Sequence, residues 1–292
     1  MIKTPSIGHL FLMSVLATIP SEGRTDPNRG ESSHAREGKN VGVLIAAHRG
    51  GYDSDKADRA PENSVANIHV SHLKGYPIYE TDIQRTADGH FVIVHDPTLD
   101  RETTGTGQTK DHTLAELKRL HKRYRDGSVS PHHIATLEEF LREGKNRTVF
   151  KADLKPGVSA HFPAIIQLVN DLTAQDGIIF RVPYQEADLF DQYHRNGVFT
   201  SPAQLMFKVS SREEIDDINN RFDPQWIQVD LAKTEPTTSA ALDLIRYATS
   251  QGLLVETHAE GTSDDWAKLI EAGVRMFHTS RPSELQNFLR QR

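Results

Sequence analysis

The chain has no cysteine in its 292 residues. Disulfides, thiolate zinc sites and cysteine nucleophiles are thereby excluded, and the redox compartment stays open. An excess of basic residues is also missing. The formal net charge is −6, whereas a nucleic-acid binder normally carries a basic stripe, so nucleic acid is not an expected partner. An anionic small molecule is still compatible with this charge, because a local cluster of Arg, Lys and metal reverses the field inside a cleft. The apolar stretch at residues 7–19, broken by Gly8 and His9, is too short for the roughly 20 residues of a membrane-spanning helix. Lys3 ahead of it and a polar segment behind it, residues 20–40, have the pattern of a signal peptide, although no clear A-x-A cleavage site is present. Export to the periplasm or outside the cell is therefore expected, with residues 1–40 as leader and 41–292 as the folded domain. A disordered tail on a cytoplasmic protein is the alternative. Beyond Asn40 there is neither a strong internal repeat nor a low-complexity tract.

From residue 41 onward, apolar runs alternate with amphipathic segments. Runs at 43–47, 78–83, 149–154, 178–182, 205–209, 226–229, 253–257 and 275–279 read as buried strands, most followed by a stretch with helical spacing. About eight strand–helix units imply a (β/α)8 TIM-type barrel, with an open doubly wound sheet as the alternative. One run breaks the alternation. Residues 91–95 follow the second strand after only Gln84–His90, too short for a right-handed crossover, and Asp88-Gly89 is a hairpin signal. This run is expected to return antiparallel to the second strand. Residues 97–147 then form an excursion with helices near 114–120 and 137–142.

Chemistry-bearing residues concentrate at the predicted strand ends. His48 and Arg49 end the first run, Glu80 and Asp82 lie on the second, and Asp153 and Lys155 end the third. Barrel active sites sit at the C-terminal ends of the strands. Glu80 and Asp82 are two apart, so both side chains point to one side of a strand. Two inward carboxylates are costly to bury together unless a cation pairs them. Asp153 supplies a third oxygen, and an oxygen-only set favours Mg²⁺ or Ca²⁺ over zinc. An arginine able to grip phosphate bidentately and histidines able to move protons near pH 7 suit metal-assisted chemistry on a phosphate ester.

The motifs His48-Arg49-Gly50, Pro61-Glu62-Asn63-Ser64, Glu80-Thr81-Asp82, His95-Asp96 and Leu99-Asp100-Arg101-Glu102-Thr103-Thr104-Gly105 resemble those of the glycerophosphodiester phosphodiesterase family. The likeness extends more weakly to residues 273–282. It implies a barrel with a divalent metal on Glu80, Asp82 and Asp153, and His48 and His95 as the acid–base pair. Arg49 and Lys155 would hold the phosphate, with Glu62 in support. The substrate would be a small-molecule glycerophosphodiester, hydrolysed to glycerol phosphate and an alcohol. Two departures stand out. Aspartate replaces the usual glutamate at Asp153, and Glu256-Thr257-His258-Ala259 stands where the family often has W-T-x-N. Glu256, near the end of a late strand, is expected to bind the headgroup, while Asp96 is expected to orient the hairpin and His258 and His278 are left without a role. A lyase forming a cyclic phosphate and a non-catalytic binding protein are the alternative functions. The oligomeric state is not legible in the sequence.

Overall fold

The structure, a computed structural model, describes residues 42–51, 59–201, 204–232 and 235–292; the expected leader lies outside them. Its strands are β1 (Leu44–Ala47), β2 (Ile78–Arg85), β3 (Phe91–Ile93), β4 (His121–Arg123), β5 (Val129–His133), β6 (Val149–Leu154), β7 (Ile178–Pro183), β8 (Leu205–Val209), β9 (Trp226–Val229), β10 (Leu254–His258) and β11 (Val274–Thr279). All but β3, β4 and β5 pair in parallel around a ring, and β1 closes it by pairing with both β11 and β2. This is the expected TIM-type barrel.

The helices are α1 (Val65–Leu73), α2 (Leu114–Leu117), α3 (Leu137–Gly144), α4 (Phe162–Asp171), α5 (Ala187–Arg195), α6 (Arg212–Phe222), α7 (Ser239–Ser250), α8 (Ser263–Ala272) and α9 (Pro282–Arg290). Local chemistry starts several of them. Thr136 with Glu139 and Thr262 with Asp265 form reciprocal capping boxes at α3 and α8, each satisfying two otherwise orphaned backbone donors.

Strand periodicity separates two cores. Tyr79, Ile83, Phe150, Phe180 and Phe207 face outward into the large apolar layer under the helices, while Ile78, Val149, Ile179, Met206, Trp226 and Met276 form a separate apolar plug in the barrel interior. Moving along the strands past that plug, the inward positions turn polar: Glu80 and Asp82 on β2, Lys151 and Asp153 on β6, Glu256 on β10 and His278 on β11 are all buried.

After β2 the chain behaves as its short connection requires. β3 lies antiparallel on β2, pairing Ile83 with Ile93 and Arg85 with Phe91. The excursion beyond it also holds a β4–β5 hairpin outside the stated expectations, although Asp126-Gly127 between its strands is the same hairpin dipeptide as Asp88-Gly89. His121-Lys122-Arg123 has no apolar pattern, and its strand is set by distant partners. Lys122 is fully buried against Glu102, 3.3 Å away.

The turn after β1 is tightly fitted. Gly50 has φ +90°, and a Cβ there would meet the Asn67 amide and come within 2.5 Å of the Tyr79 ring. Gly50→Ala is therefore expected to destabilise the protein by about 2–4 kcal/mol through backbone strain and overpacking. Urea denaturation measures this, and a change below about 0.5 kcal/mol would contradict the tight fit.

Candidate active site

Arg49 adopts a left-handed conformation, φ 52°, uncommon for a non-glycine residue and tolerated where its surroundings over-determine it. Here four contacts do so. Its N–H donates to Glu80 Oε2 at 3.0 Å. Its carbonyl accepts from Asn67 Nδ2 at 3.0 Å, Tyr79 Oη at 3.0 Å and Asn63 N at 3.2 Å. The guanidinium is anchored to Glu62 Oε1 at 2.8 Å, and Nε lies 3.8 Å from Asp82 Oδ2. Glu62 also accepts from Arg101 Nη2 at 2.8 Å. Burial opposes its ionisation, but Arg101 and Arg49 prevail and hold its pKa down at about 2.

Glu80, Asp82 and Asp153 converge so that one oxygen of each lies within 4.8 Å of the other two. Register explains this: Asp82 is opposite Asp153, and Asp153 opposite Arg181, on successive strands. Burial, reinforced by Glu80, pushes the Asp82 carboxyl up to about 6. Asn63 Nδ2 donates to Asp82 Oδ2 at 2.8 Å, and Lys155 Nζ bridges Asp82 Oδ1 at 2.8 Å and Asp153 Oδ2 at 3.3 Å. Arg181 holds the other Asp153 oxygen. Three crowded, buried carboxylate groups are a donor set that fits a hard divalent cation.

His48 and His95 face the same mouth, with ring centroids 6.3 Å apart. His48 Nδ1 is hydrogen-bonded to Ser280 Oγ at 2.8 Å, and its Nε2 lies 3.9 Å from Glu80 Oε2. Burial is the main cause that lowers His48 to about 3, against the pull of Glu80. His95 is more exposed, and its Nδ1 is held by Asp96 Oδ1 at 2.7 Å. Asp96 is in turn fixed by Arg101 Nε at 2.6 Å. The cleft has a volume of about 300 Å³, and beyond the residues already named Lys208, Gln228, Asp230, Leu231, His258 and His278 line it.

The lowered His48 pKa has a stability consequence. An unfolded histidine takes a proton near 6.5 while the folded one resists until about 3, so its contribution is fully present above pH 6.5 and is lost as pH falls between the two. Asp82, with a raised folded pKa, acts in the opposite sense, losing stability as pH rises through about 6. The readout is therefore the difference between variant and wild type. His48→Gln is expected to remove about 2–4 kcal/mol of the loss in unfolding free energy between pH 7 and 4. An unchanged pH dependence by denaturant melts would contradict a buried neutral imidazole.

Glu256 requires a correction. It is not at the rim but fully buried below the cleft, paired with Lys151 Nζ at 2.9 Å. The reading of it as a headgroup contact assumed that a polar strand end reaches solvent, whereas the barrel places Glu256 a layer deeper than His258. Asp96 orients an imidazole rather than only a turn. Two supporting residues were overlooked. Asn63 bridges Thr81 Oγ1 and Asp82, and Glu102 Oε1 accepts from the backbone N–H groups of His95 and Asp96 at 2.9 and 2.8 Å. Both lie within motifs already quoted, at polar positions given no task.

A family model described as the glycerophosphoryl diester phosphodiesterase family matches residues 48–284. A glycerophosphodiester phosphodiesterase of Bacillus subtilis (strain 168) is 26% identical over 257 residues, 81% of this chain and 73% of that protein. One of Caldanaerobacter subterraneus subsp. tengcongensis is 36% identical over a shorter match of 118 residues, 40% of this chain and 46% of the relative. A glycerophosphoryl diester phosphodiesterase from Parabacteroides distasonis superposes with a TM-score of 0.68 at 24% identity, covering 85% of this chain and 86% of its own. A phosphodiesterase of Oleispira antarctica, solved in complex with the product sn-glycerol-3-phosphate, gives a TM-score of 0.68 at 20% identity, covering 85% and 96%. At these identities the two structural likenesses speak for the fold.

Proposed function

The chain belongs to the glycerophosphoryl diester phosphodiesterase family and hydrolyses glycerophosphodiesters, and we propose that it does so with His48 as general base, His95 as general acid and a divalent cation on Glu80, Asp82 and Asp153. The observation that carries these roles is the contrast between two imidazoles at one mouth. Buried His48, kept neutral, offers its Nε2 lone pair, and Glu80 at 3.9 Å stabilises the charge as the ring takes the nucleophile's proton. His95 is backed by Asp96, which fixes its tautomer and aims the other ring nitrogen at the leaving oxygen, to which it donates a proton. Arg49, clamped by Glu62 and by its own backbone contacts, presents its guanidinium to the phosphate, with Lys155 beside it. The oxygen-only set supports Mg²⁺ or Ca²⁺, which when bound neutralises charge on the phosphoryl oxygens. The polar lining of Lys208, Gln228 and Asp230 supports a hydroxyl- or amine-bearing headgroup.

Incubation with a panel of glycerophosphodiesters is expected to release glycerol phosphate and the free alcohol. A cyclic phosphate as end product would instead identify a lyase, and no turnover of any diester in the metal-loaded protein would refute the reading. Export also remains our proposal, resting on Lys3 and residues 7–19. Protein with an intact Met1 recovered from native cytosol would overturn it. Among the described residues, no helix is long and apolar enough to cross a membrane.

A further inference from the structure

His258 and His278 have no part in the hydrolysis described above, yet the barrel packs both against His48. β10, β11 and β1 are consecutive around the ring, and His258 is opposite His278 in register. The ring centroids are 4.3 Å apart for His258 and His278, 4.5 Å for His48 and His278, and 5.3 Å for His48 and His258. One nitrogen of each ring lies within 4.8 Å of the other two.

Ring stacking alone gives no reason for what stands behind these imidazoles. His48 Nδ1 is held by Ser280 Oγ at 2.8 Å. His258 Nε2 is held by Glu260 Oε1 at 3.0 Å, and Glu260 is itself fixed by the Ser280 N–H at 2.8 Å. His278 Nδ1 faces the buried Lys151–Glu256 pair, 3.4 Å from Lys151 Nζ and 4.0 Å from Glu256 Oε1. Behind the ring, His258 thus has a carboxylate and His48 a hydroxyl, partners of the kind that fix the tautomer and orientation of metal-binding histidines. An oxygen donor is also at hand. Glu80 Oε2 lies 3.4 Å from His278 Nε2 and 3.9 Å from His48 Nε2.

We propose that His48, His258 and His278, with Glu80 completing the set, form a second cation site for a borderline transition metal of the Zn²⁺ type, and that its occupation stops hydrolysis. Three imidazoles and one carboxylate match zinc's tetrahedral preference. Mg²⁺ and Ca²⁺ prefer oxygen ligands, so the two neighbouring sites sort ions by donor type and share only Glu80. The antagonism rests on the reading of His48 as general base: a cation that takes its Nε2 lone pair removes the proton acceptor.

The test uses the full chain with saturating Mg²⁺, titrated with Zn²⁺ by calorimetry and with Co²⁺ by visible absorption. One Zn²⁺ per chain is expected, with tetrahedral Co²⁺ bands. Loss of a ligand in His258→Ala is expected to weaken binding at least about 100-fold, and loss of the orienting carboxylate in Glu260→Gln about 10–100-fold. Both positions are partly exposed, and circular dichroism checks that the variants fold. Asp153→Asn, in the carboxylate site, should leave Zn²⁺ affinity within a few-fold. Unchanged affinity in both the His258 and Glu260 variants, or loss of binding in Asp153→Asn with competition by Mg²⁺, would overturn the site. In the hydrolysis assay, half-inhibition by Zn²⁺ should shift with the dissociation constant between wild type and His258→Ala, and Zn²⁺ that activates would overturn the antagonism. Because binding is measured without substrate, absence of hydrolysis with intact Zn²⁺ binding would reject the catalytic reading alone.

Discussion

His95→Ala lowers kcat by about 10²–10⁴-fold, the span expected for loss of one positioned proton donor, while leaving the barrel folded. An alkoxide is a poor leaving group, so its departure without a proton is slow. The other proton-bearing groups at the mouth are engaged: His48 is assigned to the other proton, Lys155 lies between Asp82 and Asp153, Lys208 is paired with Asp230 and His258 with Glu260. The side chain is about 30% exposed, and the hairpin that carries it is held through backbone bonds to Glu102, so truncation should cost little stability. KM should move much less than kcat, since Arg49 and the carboxylate site remain. A diester with an acidic leaving alcohol, such as a nitrophenyl ester, needs no proton donor and should recover most of the lost rate. Equal loss on both substrates would show that His95 has a structural task, and near-normal kcat on natural diesters would remove it from the mechanism. Asp96→Asn should reproduce a smaller share of the same loss, because it leaves the imidazole in place but alters its partner.

Removal of divalent metal by chelation suppresses turnover by about 10³-fold or more, the equivalent of roughly 4 kcal/mol of transition-state stabilisation, and Mg²⁺ or Ca²⁺ restores it. The reason is electrostatic. A phosphodiester brings a further negative charge to a mouth that already holds Glu80, Asp82 and Asp153, where Asp82 is pushed up to about 6 by burial and by Glu80. Asp82→Asn should mimic metal loss, because the amide keeps the shape but not the charge. Circular dichroism should show the variant folded, because Asn63 Nδ2 can still donate to the amide oxygen. Full activity in protein shown to be metal-free would refute the carboxylate site, as would an Asp82→Asn variant with wild-type kcat.

The legible parts of this protein are those governed by short-range periodicity. Alternation along a strand is a local property, so Glu80 and Asp82 could be assigned to the interior and Thr81 to the helix layer from their spacing. The hairpin after β2 was legible for a similar reason, because the short connection through Asp88-Gly89 cannot make a crossover. The depth of an inward residue is not local. Glu256 and His258 are two apart on β10 and both face inward, yet one is sealed against Lys151 while the other lines the cleft, because depth depends on the stagger of strands paired across the ring. Polar residues without a pattern, such as Lys122 of β4 and its partner Glu102, were silent for the same reason: their meaning lies in a partner 20 positions away. The histidine cluster is the extreme case. His48 and His278 stand 230 positions apart in the chain, and only closure of β11 onto β1 brings them into contact. The sequence by itself determined which residues carry the chemistry and which face of each strand they take. Only the tertiary structure decided which of them meet, how deeply they are desolvated and therefore which charge states they hold, because burial and Coulomb interaction depend on distance in space.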